Sequence, residues 1–120
     1  MPNELPYMRL WVGDLFADPA VRAMDEAEFG LYMLALCHSW QEGSIPADEL
    51  RRAKALGVTK PRLRRLWSAI ERKWEPDGDG GLVNPRQERE RVEARSKSQK
   101  AKEAAEKRWE KKRCERNANA

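Results

Sequence analysis

Between Asp25 and Trp74 the apolar residues recur at helical spacings, broken where a glycine, a proline or a capping side chain stands, and this pattern predicts three successive helices. The first opens at Asp25-Glu26-Ala27-Glu28, with Asp25 as N-cap and Glu28 placed to complete a capping box. Phe29, Tyr32, Met33, Leu36, Cys37 and Trp40 then repeat at steps of three and four, while Leu31, Leu34 and Ala35 make most of the remaining circumference apolar. A helix apolar nearly all round is expected to be central and buried, running to about Gln41 and ended by Glu42-Gly43. Gly30 in its interior costs ~1 kcal/mol against Ala, which points to another backbone crossing close by.

Ser44-Ile45-Pro46 reads as a short extended or turn link. Ala47 to Leu56 is the second helix, with Leu50, Ala53 and Leu56 inward and Gly57 closing it. Thr59 caps a third, in which Leu63, Leu66, Trp67, Ile70 and Trp74 follow one face. Trp74-Glu75-Pro76 and Gly81-Leu82-Val83 flank the turn Asp77-Gly78-Asp79-Gly80, as in a small β-hairpin. Ahead of these elements, Leu5 to Val21 lacks a clean period and is expected to be an irregular arm whose Tyr7, Leu10, Trp11, Leu15 and Phe16 cover the core.

After the hairpin, Asn84 offers an N-cap, Pro85 suits the first helical position and Gln87 the third. Beyond Arg86 the apolar stripe all but disappears, leaving Val92, scattered alanines and Trp109 among alternating charges. Pairs such as Glu93 with Lys97 or Glu103 with Lys107 contribute only ~0.2–0.5 kcal/mol each. The whole is expected to be a mainly α, winged-helix-like three-helix domain with a small β-hairpin, residues 1–86, followed by a charged helical tail. That tail, residues 87–120, is basic, helix-prone and expected to be partly disordered when free.

Charge changes this picture more than composition does. Residues 1–50 carry two basic and nine acidic side chains, residues 51–74 nine basic and one acidic, and residues 85–120 thirteen basic and seven acidic. Sorting of this kind fits a polyanion partner for the basic parts, although a charge run also serves as a plain solvated face. The order helix, turn, helix, turn, basic helix, hairpin is that of a winged helix, whose third helix can enter the major groove. The candidate DNA contacts are therefore Arg51, Arg52, Lys54, Lys60, Arg62, Arg64, Arg65, Arg72 and Lys73. Lys107, Arg108 and Trp109 of the tail join them, since a tryptophan among bases can stack on a nucleobase.

No constellation for catalysis accompanies these cations. His38 is the single histidine, and no Ser or Cys arrangement gives it a partner set for nucleophilic catalysis, since its chain neighbour Cys37 points about 100° away on a helix; Cys37 and Cys114 sit in unlike contexts, one apolar and one charged. Asp77 and Asp79 with their glycines resemble part of a calcium loop, but Gly81 stands where a third oxygen ligand is needed. The chain is expected to bind rather than catalyse, with neither metal nor cofactor. It has no apolar run of ~18–20 residues to span a membrane and no secretory start, so no membrane partner and a cytoplasmic location are expected.

The stretch Met24 to Ala53 resembles the YdaU-like family of phage and prophage proteins, through Glu28, Gly30-Leu31-Tyr32, Leu34, Leu36, Trp40, Gly43, Ile45-Pro46, Asp48, Leu50 and Ala53. Gly13-Asp14 and Asp18-Pro19 upstream fit the same pattern. So do Gly81-Leu82-Val83-Asn84-Pro85-Arg86 and the basic run Lys100 to Trp109 downstream. Leu31 stands where Ala is usual. The resemblance implies a prophage origin and a role near DNA replication, with no catalytic site carried over. Two readings follow: DNA binding in phage replication, or an adaptor that recruits host or phage replication proteins without binding DNA. Self-association is compatible with either.

Overall fold

The computed structural model describes residues 5–118. The chain is mainly helical with a small three-stranded antiparallel sheet: α1 (Val12–Ala17), α2 (Pro19–Arg22), α3 (Glu26–Glu42), β1 (Ile45–Pro46), α4 (Glu49–Leu56), α5 (Lys60–Trp67), a 3-10 turn (Glu71–Lys73), β2 (Glu75–Pro76), β3 (Gly81–Val83) and α6 (Pro85–Ala118). Local chemistry starts each of the longer helices. Asp25 accepts from the Glu28 amide at 2.8 Å while Glu28 accepts from the Asp25 amide at 2.8 Å, closing the capping box of α3. Asp48, Thr59 and Asn84 likewise accept from the amides of Arg51, Arg62 and Gln87. Gly43 and Gly57 end α3 and α4 in the left-handed conformation, at φ +95° and +71°.

The core lies between α3, α4, α5 and the sheet. Ala35, Ile45, Leu63 and Ile70 are wholly buried, with Leu31, Tyr32, Leu36, Ala53, Leu56, Leu66 and Trp74 around them. Ile45–Pro46, expected as a link, is a strand: Ile45 pairs with Leu82 and Pro46 with Gly81, so β3 lies between β1 and β2. Space at this point is tight, so a side chain at position 81 would have to displace those of Asp77 and Ser44. A Cβ on Gly81 would lie 2.5 Å from Asp77 Oδ2 and 2.7 Å from Ser44 Oγ.

Five other expectations are corrected. The arm from Leu5 to Val21 is not irregular throughout, since it holds α1 and α2, and Asp18 caps the second through the Ala20 amide. Tyr7, Leu10, Trp11 and Phe16 do not cover the core but are exposed; Leu5 and Val21 are buried instead, with Met8 and Leu15 packed against the cluster. No backbone crosses Gly30, around which nothing comes within 4 Å of an added Cβ. Leu50, expected inward, is 49% exposed, because the inward face of α4 is taken by Arg52, Ala53 and Leu56. The third helix stops at Trp67: a turn and the 3-10 segment carry the chain to Trp74, which is extended and starts the hairpin.

The hairpin turn is held by its own carboxylate. Asp77 Oδ1 accepts from the amides of Asp79 at 2.7 Å and Gly81 at 3.0 Å, and these bonds hold its pKa below the ordinary aspartate value. A carboxyl whose folded pKa is depressed adds stability that is fully present above its unfolded pKa and is lost as pH falls through the folded one. Asp77→Ala is therefore expected to lower the thermal midpoint at neutral pH. In a pH series that deficit closes below 3.8, the carboxyl's ordinary value; a deficit that persists in acid would assign the effect to something other than the carboxylate.

α6 runs unbroken for 34 residues and crosses residue 86, where the sequence suggests the domain ends. Its first turns dock on α3. Gln87 Nε2 donates to Leu36 O at 2.7 Å, and one turn later Arg91 Nε donates to Trp40 O at 2.8 Å, a carbonyl in the last turn of α3. Helix ends leave such carbonyls without intrahelical donors, and a cation there also meets the negative end of the helix dipole. Past Arg91 only Ala94, Ser98 and Ala105 are partly covered, and the rest of α6 is exposed.

Candidate nucleic-acid interface

α4 and α5 pack on each other: α5 turns Leu63 and Leu66 to the core, and α4 turns Ala53 and Leu56 to it together with the buried Arg52. On α5, Leu63 and Leu66 point inward, which leaves Arg62 and Arg65, three residues apart, on one exposed face. Lys60 at the start of α5 and Arg51 and Lys54 on α4 are exposed as well. None of these five forms an ion pair among the described residues.

The remaining sequence candidates stand elsewhere or are already engaged. Arg64 pairs with Glu49 at 2.8 Å, a contact between α5 and α4 that holds the Glu49 carboxyl below its ordinary pKa and raises that of the guanidinium. Lys73 pairs with Asp18 of the arm, and that hydrogen bond holds Asp18 below the usual aspartate value. Arg72, exposed, lines a cleft of about 310 Å³ with Lys73, Arg9 and the first turn of α6, a cleft that includes no residue of α4 or α5. Lys107, Arg108 and Trp109 are exposed on the outer part of α6, with Trp109 61% accessible and the Lys112 ammonium 5.9 Å from its ring.

Arg52 is placed differently from every other candidate. It is 8% exposed, its Nη1 donates to Ala47 O at 2.8 Å and to Pro46 O at 3.4 Å, and its guanidinium carbon lies 4.3 Å from the centre of the Trp67 ring. Trp67 in turn meets Trp74 at 6.4 Å between centroids. Desolvation lowers the pKa of Arg52, countered by Glu49 and Asp48. Its geometry is that of a strut between β1 and α5.

A second surface, not singled out by spacing, lies between the arm and α6. The arm and the first four turns of α6 bound a groove of about 750 Å³ lined by Leu5, Tyr7, Trp11, Trp40 and the Glu93-Ala94 segment. The sequence signal for it is a run of aromatics in a segment with no period to bury them. Among the described residues no group of three or more His, Cys, Asp or Glu side chains is placed to hold a metal ion, and no helix is long and apolar enough to cross a membrane. No family model, curated protein or solved structure matches the chain.

Proposed function

We propose that the chain binds nucleic acid through the exposed basic face of α5 and the adjoining edge of α4. The observation that carries this reading is the set of five unpaired cations, Arg51, Lys54, Lys60, Arg62 and Arg65, on two neighbouring helices. The order α3, β1, α4, α5, β2, β3, with β3 central in the sheet, fits a winged helix in which α5 is the groove-entering helix. Asp77 and Asp79 at the hairpin tip repel phosphate, so contact rests on the helices and not on the wing. The likeness to the YdaU-like family adds phage DNA replication as the setting.

The test is a titration of the full chain with duplex and with single-stranded DNA at several salt concentrations. Log affinity is expected to fall with log salt, by about 0.9 per phosphate neutralised on duplex. Arg62→Glu with Arg65→Glu is expected to weaken binding to all sequences and to flatten the slope by roughly 2. Lys107→Glu with Arg108→Glu separates the outer part of α6 from the domain. If only the second pair changes the slope, α5 is not the interface; if the unmodified chain shows no salt-sensitive binding to either form, the adaptor reading replaces nucleic-acid binding.

A further inference from the structure

The arm is fastened along the groove it shares with α6, yet its aromatic rings stay uncovered. Trp40 Nε1 donates to Leu5 O at 2.9 Å, Gln87 Nε2 donates to Met8 Sδ at 3.3 Å, and Arg86 pairs with Asp14. Among these anchors Tyr7 is 78% exposed and Trp11 50% exposed, both lining the groove of about 750 Å³. A segment held at three points does not expose its rings by fraying, and two aromatics left open in a concavity mark a binding surface.

Charge decides what covers them. The groove and the cleft of about 310 Å³ share Arg9, Trp11, Arg86 and Arg89, so the two cavities adjoin, and together they are lined by six cations and four carboxylates. Three of the carboxylates are engaged, Asp14 and Glu90 by Arg86 and Asp18 by Lys73. Among the described residues Arg9, Arg72, Arg89 and Lys97 have no ion pair, and Glu93 is the one lining carboxylate left to oppose them. Arg89 and Lys97 stand two turns apart on one side of α6, ~12 Å along its axis. An apolar occupant would desolvate four unpaired cations, and a basic one would be repelled by them. An acidic peptide would meet the charge but leave Tyr7 and Trp11 unused. A single-stranded nucleic acid meets both, with phosphates for the cations and unpaired bases for the rings, whereas a duplex keeps its base faces inside.

We propose that the groove between the arm and α6 is a second nucleic-acid site, selective for single strands, in which bases stack on Tyr7 and Trp11 while Arg9, Arg72, Arg89 and Lys97 take the phosphates. Neither cavity includes a residue of α4 or α5, so this site does not rest on the α5 reading. It also gives Arg72, a basic residue remote from that face, a ligand of its own.

The test compares binding of the full chain to an oligothymidylate of about eight nucleotides and to a duplex. Tyr7→Ala and Trp11→Ala, both at exposed positions, are expected to keep the far-ultraviolet circular dichroism of the parent. Each is expected to raise the oligothymidylate dissociation constant by roughly tenfold, the effect of losing one stacked base, with duplex binding unchanged. Arg9→Ala with Arg89→Ala is expected to flatten the single-strand salt slope by about 1.4, at ~0.7 per phosphate. In a chain that also carries Arg62→Glu and Arg65→Glu, the dependence of oligothymidylate binding on Trp11 is expected to persist. Duplex binding that ignores Arg62 and Arg65 while the single strand still requires Trp11 would sink the α5 reading alone. The groove proposal is overturned by a parent that does not bind oligothymidylate, by affinity indifferent to both aromatics, or by equal losses on duplex and single strand. Competition by oligoglutamate as effective as by unlabelled oligothymidylate would overturn it too, as would a requirement for the two aromatics in binding phosphatidylserine vesicles but not the oligonucleotide.

Discussion

Ile70→Ala is expected to lower the free energy of unfolding by about 2–5 kcal/mol. Ile70 is wholly buried in the turn that joins α5 to the 3-10 segment, its amide donating to Trp67 O at 2.9 Å and its carbonyl accepting from Lys73 at 3.0 Å. The backbone is thus pinned on both sides, and the surrounding Leu63, Leu66 and Trp74 cannot readily collapse into the space left. Small domains have only ~5–15 kcal/mol in total, so the loss should appear as a fall in thermal midpoint of roughly ten degrees or more. Trp67→Ala removes more atoms but from a half-buried site, so its cost is expected at the lower end of the ~3–5 kcal/mol typical of buried aromatics. An Ile70→Ala protein with the parent's denaturation curve would mean that the junction of α5 and the hairpin packs in some other way.

The helix starts were legible because capping is local. Asp25 with Glu28, Thr59 and Asn84 each satisfy amides within three residues, and Gly43 and Gly57 adopt the left-handed conformation at the chain's own helix ends. Strand β1 was not legible, since two residues show no period and the partner of Ile45 is Leu82, far along the chain. The six residues of α1 and four of α2 are also too short for a stripe to register. In α3 the difficulty was the reverse. With nearly every position apolar, spacing could not tell that Leu34 and Cys37 face out while Ser39 faces in.

The candidate interface divides in the same manner. Arg62 and Arg65 are exposed because Leu63 and Leu66 fix the inner face of α5, which is a statement about periodicity that the sequence contains. The engagement of Arg64 by Glu49, fifteen residues away, and of Lys73 by Asp18, fifty-five away, depends on which elements become neighbours. Residue type also misleads where a charge is used internally. Arg52 stands among exposed bases in the sequence, yet two backbone carbonyls and an indole face draw it inward.

That placement gives Arg52→Met an effect opposite in kind to the reversal of Arg62 and Arg65. Methionine keeps much of the apolar stem but has no donor for Pro46 O and Ala47 O and no cation for the Trp67 face. Hydrogen bonds from a charged group contribute ~1.5–3 kcal/mol and leaving their partners unpaired has a similar cost. Removing a desolvated charge offsets part of this. The net loss of stability is expected to be about 1–3 kcal/mol, read as a lower denaturation midpoint, with the salt dependence of nucleic-acid binding unchanged at temperatures where the variant is folded. Arg62→Glu with Arg65→Glu should do the reverse, moving stability by no more than ~0.5 kcal/mol per site, as exposed substitutions do, while flattening the salt slope. If Arg52→Met left the midpoint untouched and reduced the slope by about 0.9, Arg52 would be a phosphate contact and the strut between β1 and α5 would be dispensable.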